Sequence, residues 1–402
     1  MRSQEYIERE EKYGAHNYHP LPVVLERGEG VFVWDVEGRK YFDFLAAYSA
    51  VNQGHCHPRL VKVLTEQASK LALTSRAFYN DKLGVWEEHI TKYFGYDRML
   101  PMNSGAEGVE TALKLARKWA YKVKGIQQDK ANIIVCDGNF HGRTITIVSM
   151  SSDPDSYGDY GPHTEGFIKI PFNDINALEE AITGNDIAAL LAEPIQAEAG
   201  VFVPDDGYLT AIRELCTKHN VLYIADEIQT GIGRTGKLLA VDYENVRPDM
   251  LILGKAISGG VYPVSCVLAD DEVMLTIKPG EHGSTYGGNP IASAIAMEAL
   301  KIIEDEKLIE NSFAMGQLFR DEMKKVESQM IVEVRGKGLL NAITIRPKDG
   351  KTAWDVCLKM KDLGLIAKPT HGDIIRFTPP LVITEQQMRE ALEIIKQAIA
   401  EF

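Results

Sequence analysis

The chain has 402 residues, 45% hydrophobic and 25% charged, an ordinary globular composition with room, at roughly 150 residues per domain, for two or three cores. Acidic side chains outnumber basic ones 57 to 44, so the net charge of -13 argues against a broad basic face for nucleic acid, and any bound anion needs a local device. No run approaches the roughly 18 uncharged apolar residues of a membrane span.

The opening MRSQEYIEREEKYG is charged and acidic, unlike a signal or transit peptide. Cys56, Cys136, Cys216, Cys266 and Cys357 share no metal or redox spacing. Both features predict a reducing compartment, the cytoplasm. Residues 1–48 form a lead-in, with a strand and hairpin at WDVEGRKYFDF (34–44). His55-Cys56-His57 has the H-x-H spacing of some metal sites, but no carboxylate or second cysteine pair stands at ligand spacing. Pro58 and a helical run follow, so 54–58 reads as a turn that starts a helix, and no metal is assigned. DRMLPM predicts a strand and 109–121 a helix; between them Ser104 and Glu107 form a capping box, and Gly105 leaves amides open at the positive end of the helix dipole. A phosphate could sit there, although an ordinary cap reads the same way.

Apolar runs then recur at NIIVCD (132–137), AALLAEP (188–194), VLYIADE (221–227) and DMLILGK (249–255), separated by helical spacing such as 206–220. Runs apolar at nearly every position suit strands covered on both faces. The prediction is an α/β fold: a large doubly wound domain with a mostly parallel central sheet over 49–309. Over 310–402 a smaller α+β domain follows. Its elements are the end of a long helical stretch near 291–328, the strand-like IVEVRGKGLLNAITIR (331–346), a helix around 352–364, IIRFTPPLV (374–382) and a final helix from Glu385.

GIGRTGK (231–237) fits G-x-G-x-x-G and most of a P-loop, which would make a nucleotide-binding protein. Five residues separate it from the preceding strand and Leu238 replaces the magnesium-binding hydroxyl, so it reads as a flexible loop. Asp226 and Lys255 each end an apolar run, where open α/β sheets bind ligands. Singly, each reads equally as half of a buried ion pair. Together they stand about one crossover apart and face one cleft. Lysine at a buried strand mouth loses ammonium hydration and becomes nucleophilic. A phosphate cradle, a strand-end carboxylate and a strand-end lysine are what pyridoxal 5'-phosphate requires: the lysine condenses with its aldehyde, and the carboxylate keeps its pyridine nitrogen protonated. Phe140 in GNFHGRT would stack on the ring, or simply pack in the core.

LYIADEIQTGIGRTGK followed by PDMLILGKAISGG resembles the signature of the class-III, fold-type-I aminotransferases. YGAHNYHPLPVVLERGEGVFVWDVEGRKYFDF, SAVNQGHCHP, TSRAFYN, KPGEHGSTYGGNP and KPTHGDIIRFTPPL are similar to the ornithine-accepting members, over about residues 6–402. The resemblance implies a pyridoxal-phosphate enzyme that moves the δ-amino group of L-ornithine to 2-oxoglutarate. It assigns Lys255 the covalent link, Asp226 the pyridine nitrogen, Gln229 the phenolic oxygen, Gly105 and Ala106 the phosphate, and Phe140 the stacking ring. Ser284 and Thr285 would reach the phosphate from a second subunit, which implies a homodimer or a higher oligomer. Tyr18 and Arg143 would grip the α-carbon end of ornithine, Tyr48 would select it, and Arg376 would take the dicarboxylate after release from Glu198. His141 departs from the tryptophan of animal ornithine enzymes, and FHGRT is usual among acetylornithine aminotransferases. Acetylornithine or 4-aminobutyrate transamination is therefore the alternative, and a catalytically silent member of the fold the non-enzyme one.

Overall fold

The computed structural model describes residues 2–183 and 186–402; Met1 of the lead-in lies outside them. After an exposed helix, Arg2–Tyr13, strands β1 (Leu25–Glu29), β2 (Phe32–Asp35) and β3 (Lys40–Asp43) form a meander whose β2–β3 hairpin lies at the expected 34–44. Its fourth strand comes from near the other end of the chain: β13 (Leu365–Ile366) runs parallel to β3, with Leu365 opposite Phe42. The lead-in is thereby fastened to the C-terminal unit.

The central sheet comprises β4 (Arg98–Met102), β5 (Asn132–Cys136), β6 (Phe167–Ile170), β7 (Ile187–Ala192), β8 (Leu222–Asp226), β9 (Met250–Leu253) and β10 (Ser265–Ala269), in the order β4-β10-β9-β8-β7-β5-β6. From β9 to β6 neighbours are parallel; β10 alone runs against both β4 and β9. Every residue of β7, β8, β9 and β10 is buried. Because strand side chains alternate, Tyr223 and Ala225 join the core shared with the helix Pro290–Asp305, while Leu222 and Ile224 join Val109 and Leu113 of the helix Gly105–Trp119 on the opposite face. Burial on both sides stabilises by roughly 1.5–3 kcal/mol per large aliphatic side chain, which is why these strands read as unbroken apolar runs. The C-terminal unit carries an antiparallel sheet, β11 (Ile331–Lys337), β12 (Leu340–Ile345), β15 (Ile374–Phe377) and β14 (Lys368–Thr370) in spatial order, with helices Ala353–Leu363 and Glu385–Ala400.

Two expectations need correction. The helical stretch near 291–328 is two helices, Pro290–Asp305 and Leu308–Lys324, parted where Lys307 turns to φ 52°. The 231–236 segment is not a flexible loop, for all six residues are buried. Arg234 donates to the carbonyls of Leu339 (2.9 Å) and Pro379 (2.6 Å) and to Asn52, and burial lowers its pKa to about 9. Those partners are remote in sequence, so no local pattern announces the packing.

His55 pairs with Asp43 (2.7 Å), and His57 caps the Pro58–Lys70 helix while bonding Glu306 (2.9 Å). Among the described residues no cluster of three His, Cys, Asp or Glu side chains forms a metal site, and no helix is long and apolar enough to cross a membrane. All five cysteines are free.

Candidate active site

Three adjacent parallel strands deliver chemistry at their carboxyl ends: Glu193 just past β7, Asp226 ending β8 and Lys255 just past β9. Asp226 is 4% exposed, and a carboxylate so buried demands partners. It receives the Ile228 N–H (3.0 Å) and lies 2.6 Å from His141 Nδ1. Burial opposes a proton on His141, but the hydrogen bond to Asp226 and its charge outweigh that, so the His141 pKa is raised. With Nδ1 engaged, His141 Nε2 is left buried and unpartnered.

Lys255 opens a single helical turn at φ 43°, in the left-handed region, a strain of order 1–3 kcal/mol of the kind that gathers at functional sites. Its Nζ donates to Gln229 Oε1 (2.8 Å), while Gln229 Nε2 is buried without an acceptor. Burial lowers the Lys255 pKa from 10.5 to about 8; Glu198 opposes the shift and Arg376 adds to it. The amine is therefore far more often neutral near pH 7 than an exposed lysine.

Ser104 caps the Gly105–Trp119 helix, accepting from Glu107 N (3.3 Å) while Glu107 accepts from Ser104 N (2.9 Å). The amides of Gly105 and Ala106, in the first turn, have no intrahelical acceptor. Ile228 seats this end against the lysine strand. A Cβ at Gly105 would stand 3.0 Å from Ile228 Cδ1, and one at Gly254 3.1 Å from its Cγ2, so glycine permits both approaches.

Opposite this floor, Arg376 on β15 is 3% exposed and forms a two-pronged pair with Glu198, at 2.7 and 3.3 Å. Its guanidinium lies 5.3 Å from the centroid of the Tyr48 ring. Tyr48 sits in a left-handed turn, Ala46, Ala47, Tyr48 and Ser49 having φ of 45, 47, 58 and 73° without a glycine. Phe140 donates its N–H to Glu193 (2.9 Å), whose burial raises its pKa to about 7, and Arg143 lies 5.6 Å from the Phe140 ring. A cleft of ≈ 280 Å³ opens beside Phe140, Asp153, Glu198 and His371. Tyr18 is 70% exposed, with Lys368 Nζ 5.9 Å from its ring. Ser284 accepts from Asn103 Nδ2 (2.8 Å) and Thr285 is exposed.

Asp226, Gln229, Lys255, Phe140, Glu198, Arg376 and Tyr48 thus converge, Arg143 and Tyr18 stand at the rim, and Ser284 lies beside the helix start. Sequence reasoning gave no role to Glu193 or to the His141–Asp226 contact. Glu193 carries the same signal as Asp226, a carboxylate at the end of an apolar run. His141 had none beyond its place in GNFHGRT. The donor set fits pyridoxal phosphate: an amine, a buried carboxylate backed by imidazole, an unpartnered Gln229 amide, open helix amides and an aromatic face.

Comparison with known proteins agrees. The model of the family Aminotransferase class-III matches residues 13–399. Mitochondrial ornithine aminotransferase of Rattus norvegicus is 62% identical over 401 residues, covering 100% of this chain and 91% of the rat protein. The ornithine aminotransferase structure from Toxoplasma gondii, in which PLP partly occupies the active site, superposes with a TM-score of 0.98 at 48% identity, covering 99% of this chain and 94% of that one. Acetylornithine aminotransferase from Elizabethkingia anophelis gives 0.91 at 60% identity over 100% and 99% of the two chains. On fold, on strand-end chemistry and on similarity along its whole length, the chain belongs to the class-III aminotransferase family.

Proposed function

We propose that this aminotransferase moves the δ-amino group of L-ornithine to 2-oxoglutarate, giving glutamate 5-semialdehyde, which cyclises to pyrroline-5-carboxylate, and glutamate. The two-pronged Arg376–Glu198 pair carries the reading. One site must accept a dibasic amino acid and a diacid in turn, and a buried guanidinium without a partner would be costly during the first. Glu198 neutralises Arg376 while ornithine is bound and yields it to the α-carboxylate of 2-oxoglutarate.

Pyridoxal phosphate, the cofactor of this family, supplies the electron sink. Lys255 would hold it covalently, and its amine, when free, would serve as the general base at the reacting carbon. Asp226, oriented by His141, would keep the pyridine nitrogen protonated; Gln229 would donate toward the phenolic oxygen, Gly105 and Ala106 would hold the phosphate, and Phe140 would cover the ring. Tyr18 and Arg143 hold the α-carboxylate end of ornithine at the rim, with Tyr48 beside them. Residues 49–309 form the cofactor domain, 310–402 the smaller domain that supplies Arg376, and 1–48 the lead-in.

Ser284 and Thr285 contact the phosphate of a second copy in a homodimer. Mixing K255A chains with S284A/T285A chains tests this: hybrid dimers regain one intact site only if the contact crosses subunits. The cytoplasm is the proposed location, although the rat relative is mitochondrial and free cysteines suit either reducing compartment; cell fractionation decides.

Acetylornithine is the second reading, favoured by the Elizabethkingia structure. The visible spectrum separates the two. L-ornithine should bleach the band of the bound cofactor, 2-oxoglutarate should restore it, and faster bleaching by acetylornithine would overturn the choice of donor.

A further inference from the structure

Residues 275–289 join two helices and carry Ser284 and Thr285. They are tied along the helix whose first turn is the phosphate cradle, and His282 is the central tie. Its Nε2 lies 2.8 Å from Thr111 Oγ1 and its Nδ1 2.9 Å from Lys114 Nζ. The Thr111 hydroxyl proton is already given to the Glu107 carbonyl (2.7 Å), so Nε2 must carry a hydrogen to bond Thr111. The Lys114 ammonium has only donors, so Nδ1 must be bare. The network therefore admits one ring state, neutral and protonated on Nε2.

On either side the anchoring continues. Lys114 also donates to the Glu281 carbonyl (3.2 Å), and Lys118 pairs with Glu281. Ser284 Oγ accepts from both Asn103 Nδ2 (2.8 Å) and Gly287 N (3.2 Å). With two donors filling its lone pairs, the Ser284 hydroxyl keeps its own proton free for an anion.

We propose that His282 is a positioning residue: its neutral ring docks residues 278–288 on the Gly105–Trp119 helix of its own chain and so presents Ser284 and Thr285 to the cofactor phosphate of the second copy. The inference rests on the pyridoxal-phosphate reading of the site. The charged groups acting on the ring are Lys114 and Glu107 on the helix; on its own segment the neighbouring Glu281 is held by Lys118 and by the Lys278 N–H, while the Lys278 ammonium turns to the Leu275 carbonyl. A proton on Nδ1 would set two cations 2.9 Å apart. Burial and Lys114 accordingly lower the His282 pKa from 6.5, Glu107 opposing. The undocked segment takes up a proton that the docked one refuses, so docking is complete above that ordinary value and weakens as pH falls below it. One linked proton costs at most about tenfold per pH unit.

The test is equilibrium binding of pyridoxal phosphate to the apoprotein between pH 5 and 8 for wild type, K114Q and H282Q. Lys114 is exposed, so K114Q should fold and, at pH 8, bind within about fivefold of wild type. In acid, wild type should lose affinity more steeply than K114Q, whose glutamine carbonyl can accept from a protonated ring. H282Q should bind about three- to tenfold more weakly at pH 8, having lost one of two ring hydrogen bonds, and lack the extra acid slope. Hydrogen exchange of the apoprotein should show amides of 283–288 losing protection in acid in wild type but not in K114Q. Parallel pH profiles for all three proteins would overturn the inference. Wild type that takes up no pyridoxal phosphate would instead sink the cofactor reading beneath it.

Discussion

The floor of the cleft and its substrate end are built on opposite terms. Asp226, Lys255 and Gln229 sit at or just beyond strand ends of one sheet, and their neighbourhood keeps hydrogen-bonding capacity in reserve, since Gln229 Nε2 and His141 Nε2 are buried without partners. Arg376 and Glu198 come from different units of the chain and neutralise each other's charge through two hydrogen bonds, with only Arg376 Nε of the pair buried and unpartnered. A floor with open donors suits one resident group, because unmet polar capacity in the interior is costly until filled. A self-neutralised pair suits exchange, because each incoming ligand must displace an internal partner. Substitutions in the two regions should therefore fail differently: the floor should lose turnover, and the substrate end should lose discrimination.

The largest expected effect is on the floor. D226N keeps the shape but removes the charge that His141 orients, and kcat should fall about a hundred- to thousandfold, the usual loss when one preorganised electrostatic group is removed. KM for both substrates should stay nearly constant. Steady-state kinetics decide it; a loss in kcat below about tenfold would mean that the chemistry does not lean on this carboxylate.

Legibility follows the same division. Strand ends are readable because a charge after an unbroken apolar run, as in LYIAD or MLILGK, is a local signal, and so is the Ser104–Glu107 cap. The contacts that finish the site are not local. His141 meets Asp226 and Glu198 meets Arg376 across long stretches of chain, and no spacing rule encodes either. The left-handed turn at 46–49 is hidden because no glycine marks it. Antiparallel β10 is an apolar run like its neighbours, and direction within a sheet leaves no mark on composition. The glycines of 231–236 suggested mobility, yet that segment is buried around Arg234. Glycine permits close approach as readily as it permits motion.

At the substrate end the expected effects are smaller and selective. R376A removes one partner of a buried pair, a change that typically costs about 2–5 kcal/mol, so KM for 2-oxoglutarate should rise thirtyfold or more, roughly. Ornithine, which does not use this arginine, should react nearly as before. E198Q should act in the reverse sense. Arg376 is freed for the diacid, whose KM should fall a few-fold, while a buried cation left without its counterion faces the cationic ornithine and weakens it by about tenfold. Half-reaction rates with each substrate measure the split. Equal losses for both substrates in either variant would break the contrast between a fixed floor and an exchanging end.

The smallest effect probes the seam between the regions. Burial is the main cause of the lowered Lys255 pKa of about 8, but Glu198 raises it and Arg376 lowers it, so the far pair is felt at the amine. In the apoprotein the neutral amine is the nucleophile, so the rate of pyridoxal phosphate uptake should climb as pH rises through about 8, well below the 10.5 of an unperturbed lysine. E198Q removes an anion that favours the ammonium, which should move this midpoint down. R376A removes a cation that disfavours it, which should move the midpoint up. Each shift should stay below about one pH unit, because burial supplies most of the displacement and both variants leave it intact. Stopped-flow absorbance across pH 6 to 11 resolves the midpoints, with the cofactor's own titration common to all three proteins. Opposite shifts tie the substrate end electrostatically to the nucleophile, so that the state of the Arg376–Glu198 pair also sets how readily Lys255 gives up its proton; coincident midpoints would make the two regions independent.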